Sequence, residues 1–365
     1  MKAFEPYVLN GLTLQNRFVR SATHTGFATD EGIATEKNKD ILFTLAENNV
    51  GLIITGYMYI SKDGKGARGQ LSIDRDETIK ELFEITHYIH KYTRTKIFAQ
   101  IAHCGAQTTE NITGQTPIAP SQISHNNTII AREMQAKDIE QIIEHFSDSA
   151  IRAKEAAFDG IQIHAAHGYL LSEFLSGHFN KRTDMFGQNN KGRARIISII
   201  LEHVRKKVGT KFPILLKINS EDFLQDGLHQ EDCLEILGYI IPCGIDGVEI
   251  SGGTMNSDPL PIRKEDNTKE SSQFYYRDFC EKFRKKFSIP LIAMGGIRGI
   301  SEAERILGTD QADLIGMSRP FICEPDIIKR WEKGDPLRAK CISCNKCFRP
   351  LLVGKGLNCE FVKKE

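Results

Sequence analysis

Short apolar runs alternate with longer amphipathic stretches along most of the chain. The runs fall at 18–21, 51–55, 96–101, 160–164, 214–218, 247–251, 291–294 and 314–317. Each is nearly continuous in apolar residues, the pattern of strands buried on both faces. Between them, stretches near 37–48, 78–92, 138–158, 193–208, 231–241, 275–287, 301–308 and 325–334 carry apolar residues at helical spacing. In 138–158, for example, Ile139, Ile142, Ile143, Phe146, Ala150, Ala153 and Ala157 line one helix face. This eightfold strand–helix alternation predicts an α/β fold, a (β/α)8 TIM barrel rather than a doubly wound sheet.

Ahead of the first barrel strand, Val8-Leu9-Asn10-Gly11-Leu12-Thr13-Leu14 sets Asn-Gly between two apolar runs. That is a type I′ hairpin signal, and the predicted hairpin would cap the amino end of the barrel. The connections 103–137 and 165–192 are long, and in a compact domain such loops are functional or carry small elements of their own. The barrel is expected over 1–335 and a short Cys-rich tail over 336–365.

Composition narrows the function classes. The 365 residues are 40% hydrophobic and 26% charged, with net charge +1. That is a soluble globular profile with no electrostatic case for nucleic acid or an anionic membrane as partner. The start, Met-Lys-Ala-Phe-Glu-Pro, is not a signal peptide, and no run is long enough to span a bilayer. A cytoplasmic location is expected, and a homo-oligomer remains open. Of nine cysteines, Cys104, Cys233, Cys243, Cys280 and Cys323 are scattered, whereas Cys341, Cys344, Cys347 and Cys359 crowd the tail.

The candidate chemistry sits where barrel strands end. His164-Ala165-Ala166-His167-Gly168-Tyr169 places two imidazoles and a phenol on one loop at the carboxyl end of strand four, the catalytic end of such barrels. The two histidines lack a matching third metal ligand and the HExxH pattern, so donation to an anionic group is the better reading, with Tyr169 as proton donor. Glycines recur after the late strands, in Ser251-Gly252-Gly253, Met294-Gly295-Gly296 and Gly316-Met317-Ser318-Arg319. They would let backbone N–H groups approach a phosphate that Arg319 pairs with. Gln100 can meet the edge of a heterocycle, and Lys217, between apolar neighbours, needs an anionic partner. No GxGxxG follows an early strand, so a Rossmann dinucleotide site is not indicated.

These residues resemble the Old Yellow Enzyme family of FMN-dependent NAD(P)H:flavin oxidoreductases. The likeness runs from Pro6 to Pro325 and rests on Leu14-Gln15-Asn16-Arg17, Gln100-Ile101-Ala102-His103, His164-Ala165-Ala166-His167-Gly168-Tyr169, Arg182-Thr183-Asp184, Lys217, Gly295-Gly296 and Ser318-Arg319. The resemblance implies FMN across the barrel mouth, with Ala22, Thr23 and Gly56 lining the ring. Gln100 would bind its pyrimidine edge and Lys217 would sit near N1. Gly253, Gly295, Gly296, Ser318 and Arg319 would hold the phosphate. His164 and His167 would grip a substrate oxygen, and Tyr169 would protonate the product. Three positions depart from the pattern. Thr23-His24-Thr25-Gly26 is similar to the 2,4-dienoyl-CoA reductase branch, with His24 beside the flavin. Lys217 replaces a common Arg, and Ala106 stands where HxGR has Arg.

The tail, with Cys341, Cys344, Cys347 and Cys359, resembles the iron–sulfur segment of dienoyl-CoA and trimethylamine dehydrogenases. It has two rather than three residues between the second and third cysteines, and it lacks their following nucleotide-binding region. Four thiolates suit a 4Fe-4S cluster or zinc; a metal-free remnant is the alternative. The expected function is NAD(P)H-dependent reduction of an activated C=C bond in an enone or enoyl substrate. The alternatives are an Fe-S/FMN electron-transfer flavoprotein and a non-catalytic flavin-binding scaffold.

Overall fold

The computed structural model describes residues 1–126, 128–264 and 273–361. Eight parallel strands close into a barrel: β1 Phe18–Arg20, β2 Leu52–Ile54, β3 Lys96–Ala102, β4 Gly160–Ala165, β5 Ile214–Asn219, β6 Gly247–Ser251, β7 Leu291–Ala293 and β8 Leu314–Met317. Neighbours in sequence pair in order, β8 pairs with β1, and β3 with β4 completes the ring. Each strand lies within one residue of its expected bounds at either end.

Helices cover the outside. Ala136–Glu155 buries Ile139, Ile142, Ile143, Phe146, Ala150 and Ala153, as the spacing predicts. It begins earlier than expected because Gln135 and Asp138 form a capping box. It stops before Ala157, whose φ of +57° cannot continue a helix. The long connections do carry elements of their own. Ile118–Ala119, Ile123–His125 and Thr128–Glu133 make a small sheet, and Leu170–Leu175 is a short helix. Among the described residues no helix is long and apolar enough to cross a membrane.

Two apolar clusters divide the interior. The larger packs the strands' outer faces against the helices. The smaller contains Val19, Leu52, Ile54, Phe98, Leu215, Ile292 and Leu314 from the barrel strands, together with Leu9 and Leu14. Leu9 and Leu14 come from the hairpin Tyr7–Leu9 and Leu12–Leu14, so the hairpin is a plug in the barrel floor. Its turn has φ of 45° at Asn10 and 79° at Gly11, the two left-handed residues a type I′ turn requires. The plug is therefore built from local turn chemistry, but its stability comes from tertiary burial. Leu14 is fully buried, so Leu14→Ala is expected to cost about 2–5 kcal/mol of folding stability. Denaturant unfolding checks this, and an unchanged midpoint would mean that the plug bears no weight.

Candidate active site

The floor is apolar; one layer up, the barrel interior turns polar. Gln162 on β4 stands opposite Gln100 on β3, and Lys217 on β5 stands between His164 on β4 and Glu249 on β6. Their side chains form one connected network. The Gln100 amide donates to Gln162 Oε1 at 2.6 Å, and the Gln162 amide donates to Glu249 Oε2 at 2.7 Å. Glu249 Oε1 receives the Lys217 ammonium at 2.9 Å and the Ser21 hydroxyl at 2.5 Å. Glu249 is fully buried and Lys217 is 3% exposed. A buried ammonium needs a counter-charge, and here a carboxylate of the same protein supplies it. The anionic partner that the sequence called for is thus, in part, the protein's own Glu249.

Above this layer lies a cavity of about 300 Å³ at the carboxyl ends of the strands. It brings together Ala22, Thr23, His24, Gln100, His164, His167, Tyr169, Lys217, Gly295, Gly296, Ser318 and Arg319. Gly56 and Gly253 are not among its lining residues. A Cβ on Gly56 would fall 2.8 Å from the Thr23 carbonyl oxygen, and one on Gly253 would fall 2.8 Å from that of Pro259. Both glycines permit close passage of neighbouring backbone, which is a packing role.

The β4 loop owes its shape to two successive left-handed residues, His167 at φ 67° and Gly168 at 79°. A histidine tolerates this conformation where a partner holds it. Asn219 provides one, its Oδ1 accepting from the His167 backbone N–H at 3.1 Å. The turn leaves Tyr169 as the cap of Leu170–Leu175 and gathers the rings. His164 meets Tyr169 edge-on at 5.0 Å between centroids and His167 at 5.2 Å. Tyr57 stands 5.2 Å from Tyr169 and 5.3 Å from His24.

Burial decides the charge states. It lowers both His164 and His167 well below the ordinary histidine value; His167 and then Lys217 add to the shift at His164, and Lys217 adds to it at His167. Burial takes His24 down to about 4. All three imidazoles are neutral at physiological pH, so each has one N–H to donate. His167 Nε2 lies 2.6 Å from the Ser251 hydroxyl, whereas His164 Nδ1 is buried without a partner among the described residues. Burial raises the Tyr169 phenol, and the hydroxyl of Tyr57 opposes that rise by a hydrogen bond.

Arg298 and Arg319, which also line the cavity, are both buried. Burial, and then the nearby Arg319 charge, lowers the Arg298 guanidinium. Arg319 is held by the Arg263 carbonyl at 2.6 Å and by Asn345 Oδ1 at 2.7 Å. The tail thiols Cys341, Cys344, Cys347 and Cys359 line one small cavity of about 20 Å³ together with Cys323 and Arg319. Burial and the neighbouring thiols push Cys347 up to about 11. Among the described residues, no three His, Cys, Asp or Glu side chains are arranged to hold a metal ion.

Sequence reasoning missed Tyr57, Gln162, Glu249, Arg298 and Cys323. A signal existed for Gln162 and Glu249: each is polar inside an apolar strand, as Gln100 and Lys217 are. Tyr57 lies beyond the end of its strand, where no periodicity applies.

A family model described as the NADH:flavin oxidoreductase / NADH oxidase family matches residues 2–338. The chain belongs to this family. It is the Old Yellow Enzyme group that the motifs resemble. The chain is 34% identical over 343 residues to an NADH oxidase of Thermoanaerobacter brockii, a match covering 92% of this chain and 52% of that protein. It is 32% identical to an NADPH dehydrogenase of Geobacillus sp. (strain WCH70), covering 88% of this chain and 91% of that one. The chain thus spans about half the length of the NADH oxidase it matches. In three dimensions it is similar to 2-naphthoyl-CoA reductase, with a TM-score of 0.90 and 23% identity over 98% of this chain and 56% of that one. At that identity the likeness is one of fold.

The cavity suits the flavin that the family name implies. Two buried guanidiniums beside Gly295-Gly296 suit a phosphate, and Gln100 and Lys217 both face the cavity, as a polar ring edge would require.

Two predictions follow from the electrostatics. Glu249→Leu alone strands the Lys217 charge and is expected to cost about 3–5 kcal/mol. The double variant Lys217→Met/Glu249→Leu should recover much of that loss, and a double-mutant cycle read by denaturant unfolding checks it. The second prediction concerns Glu173, which is fully buried. Among the described residues its Oε1 accepts only the Ala106 backbone N–H, at 2.9 Å, at the position where the family pattern has Arg. Its Oε2 has no partner among the described residues. Burial holds its carboxyl well above the ordinary 4.5. A raised carboxyl contributes stability at acid pH that is lost as pH climbs through the folded value. Glu173→Gln is therefore expected to gain on wild type as pH rises above 4.5, measured as unfolding midpoint against pH; parallel curves would refute the assignment.

Proposed function

We propose that this chain is an FMN-dependent oxidoreductase that uses NAD(P)H to reduce the activated C=C bond of an enone or enoyl substrate. One observation carries the reading. His164, His167 and Tyr169 line the same cavity as two buried arginines and the Gly295-Gly296 pair. When bound, FMN would take a hydride from NAD(P)H and deliver it to the β-carbon of the substrate.

The protein's own part is binding, polarisation and proton supply. Gln100 and Lys217 would hold the ring edge, and Gly295, Gly296, Arg298 and Arg319 the phosphate. Neutral His164 and His167 would donate to the substrate carbonyl oxygen, stabilising the negative charge that gathers there. Neutral imidazoles suit this task because they bind the oxygen without giving up a proton early. Tyr169 would place its phenolic proton on the α-carbon, and the Tyr57 hydroxyl would steady the phenolate left behind. His24 would sit beside the ring as a neutral group.

Tyr169→Phe tests the reading. It should slow substrate reduction by roughly 10²–10⁴-fold, the usual loss on removing a general acid. Reduction of the flavin by NAD(P)H should stay near wild type, since that half-reaction needs no phenol. Anaerobic stopped-flow of each half-reaction, with a panel of enones, enoates and enoyl-CoAs, separates the two. Equal damage to both would remove Tyr169 from the acid role, and recovery of FAD or no flavin would sink the whole reading.

A second reading rests on four tail thiols and Cys323, which line one small cavity with Arg319 and would have to draw closer to ligate one metal centre. Such a donor set would suit an iron–sulfur cluster, which would let the chain pass electrons to an acceptor, or a zinc ion, which has no redox chemistry and would only brace the tail. Anaerobically prepared protein is expected to carry iron with acid-labile sulfide, or zinc, and Cys344→Ser is expected to lose it. Metal-free protein whose native tail thiols react readily with a thiol reagent would overturn this reading and leave the first intact.

A further inference from the structure

The Cys-rich tail does not hang off the barrel. It crosses the cavity mouth and supplies part of its wall, through Phe348 and Leu351. Two glycines on opposite sides make that fit possible. A Cβ on Gly26, just past β1, would run into Leu351 Cδ1, and a Cβ on Gly356 in the tail would run into the ring of Phe27. Each segment thus yields a side chain's worth of space to the other. Polar contacts pin the same join. The Leu357 N–H donates to the Thr25 carbonyl at 2.7 Å, Arg298 donates to Ser343 Oγ at 2.9 Å, and Asn345 links Arg319 to the Ile262 carbonyl.

The place of Leu351 matters more than its burial. Gly26 lies two residues after His24, whose ring neighbours Tyr57, which in turn neighbours Tyr169. Leu351 lines the same cavity as His24, Tyr57 and Tyr169. Ser343 and Asn345 pin the tail to the two guanidiniums, and Leu357 pins it to Thr25, beside Gly26. The tail is thus fastened before and after the two residues that line the cavity.

We propose that Leu351, backed by Phe348, is a specificity-determining residue that limits the bulk of the unsaturated carbonyl compound admitted beside Tyr169. The proposal rests on the reading of this cavity as an ene-reductase site. Leu351 belongs to a wall that the tail supplies, and Gly26, whose φ of +71° already favours glycine, leaves room for it. Small cyclic enones fit under Leu351; enones carrying a bulky ring substituent meet it.

The test uses the flavin-loaded protein and one pair of ligands, cyclohex-2-enone and a phenyl-substituted cyclohexenone. Two readouts are taken: kcat/KM for each, and the dissociation constant from perturbation of the flavin visible spectrum. Leu351→Ala is expected to raise the bulky-to-small ratio by about tenfold or more, the scale on which an apolar pocket discriminates a methylene or two. Leu351→Phe is expected to lower the same ratio. Two changes in opposite directions cannot both come from a loosened fold. If both variants keep their flavin and neither ratio moves, Leu351 is not a specificity residue and the proposal is overturned. A wild type that binds the pair but does not reduce it would defeat the ene-reductase reading, and the binding ratio alone would then decide on the wall.

Discussion

The buried pairing of Lys217 with Glu249 is the constraint around which the barrel interior is organised. Two opposite charges 2.9 Å apart and almost wholly buried are tolerable only if the remaining lone pairs and protons are satisfied. Ser21 and Gln162 do this for the carboxylate, and Gln100 does it for Gln162. Four side chains from four strands, and Ser21 just past β1, must therefore hold register together. The parallel ladder that sets Lys217 opposite Glu249, and Gln162 opposite Gln100, is what makes a charged layer possible inside an apolar barrel.

The layer also explains the division of labour along the barrel axis. Below it, leucine, isoleucine, valine and phenylalanine side chains and the hairpin plug make a dry floor. Above it, the site is polar, and burial rather than ion pairing controls its chemistry. Three histidines are kept neutral by desolvation, so they donate hydrogen bonds without carrying charge. Of the cations that line the cavity, Lys217 stands beside His164 and has its own carboxylate, whereas Arg298 and Arg319 are the groups suited to an anionic part of a ligand.

The tail changes the picture of where this site ends. Its cysteines draw attention in the sequence, yet its apolar residues reach the cavity. Arg319 borders both the main cavity and the small one lined by the tail thiols, and Asn345 accepts a hydrogen bond from it. A segment with little core of its own is fastened by fitting into spaces that two glycines leave open.

The sequence by itself determined the barrel and much of the site. Apolar runs and helical periodicity are local signals, and they located all eight strands to within a residue. Asn10-Gly11 predicted the hairpin because a type I′ turn is encoded in two adjacent residues. The His164–Tyr169 loop and the late glycines were legible because each lies in one short segment at a strand end. Only the tertiary structure decided which partner Lys217 takes, since Glu249 lies on the neighbouring strand and register comes from barrel closure. It also moved Gly56 and Gly253 from the cavity to backbone packing, and brought in Tyr57 and Arg298. It seated Leu351 against Gly26, residues at opposite ends of the chain. The physical reason is the same in each case. Periodicity and turn chemistry act between near neighbours, whereas charge compensation and volume complementarity act between surfaces that meet only when the barrel has closed.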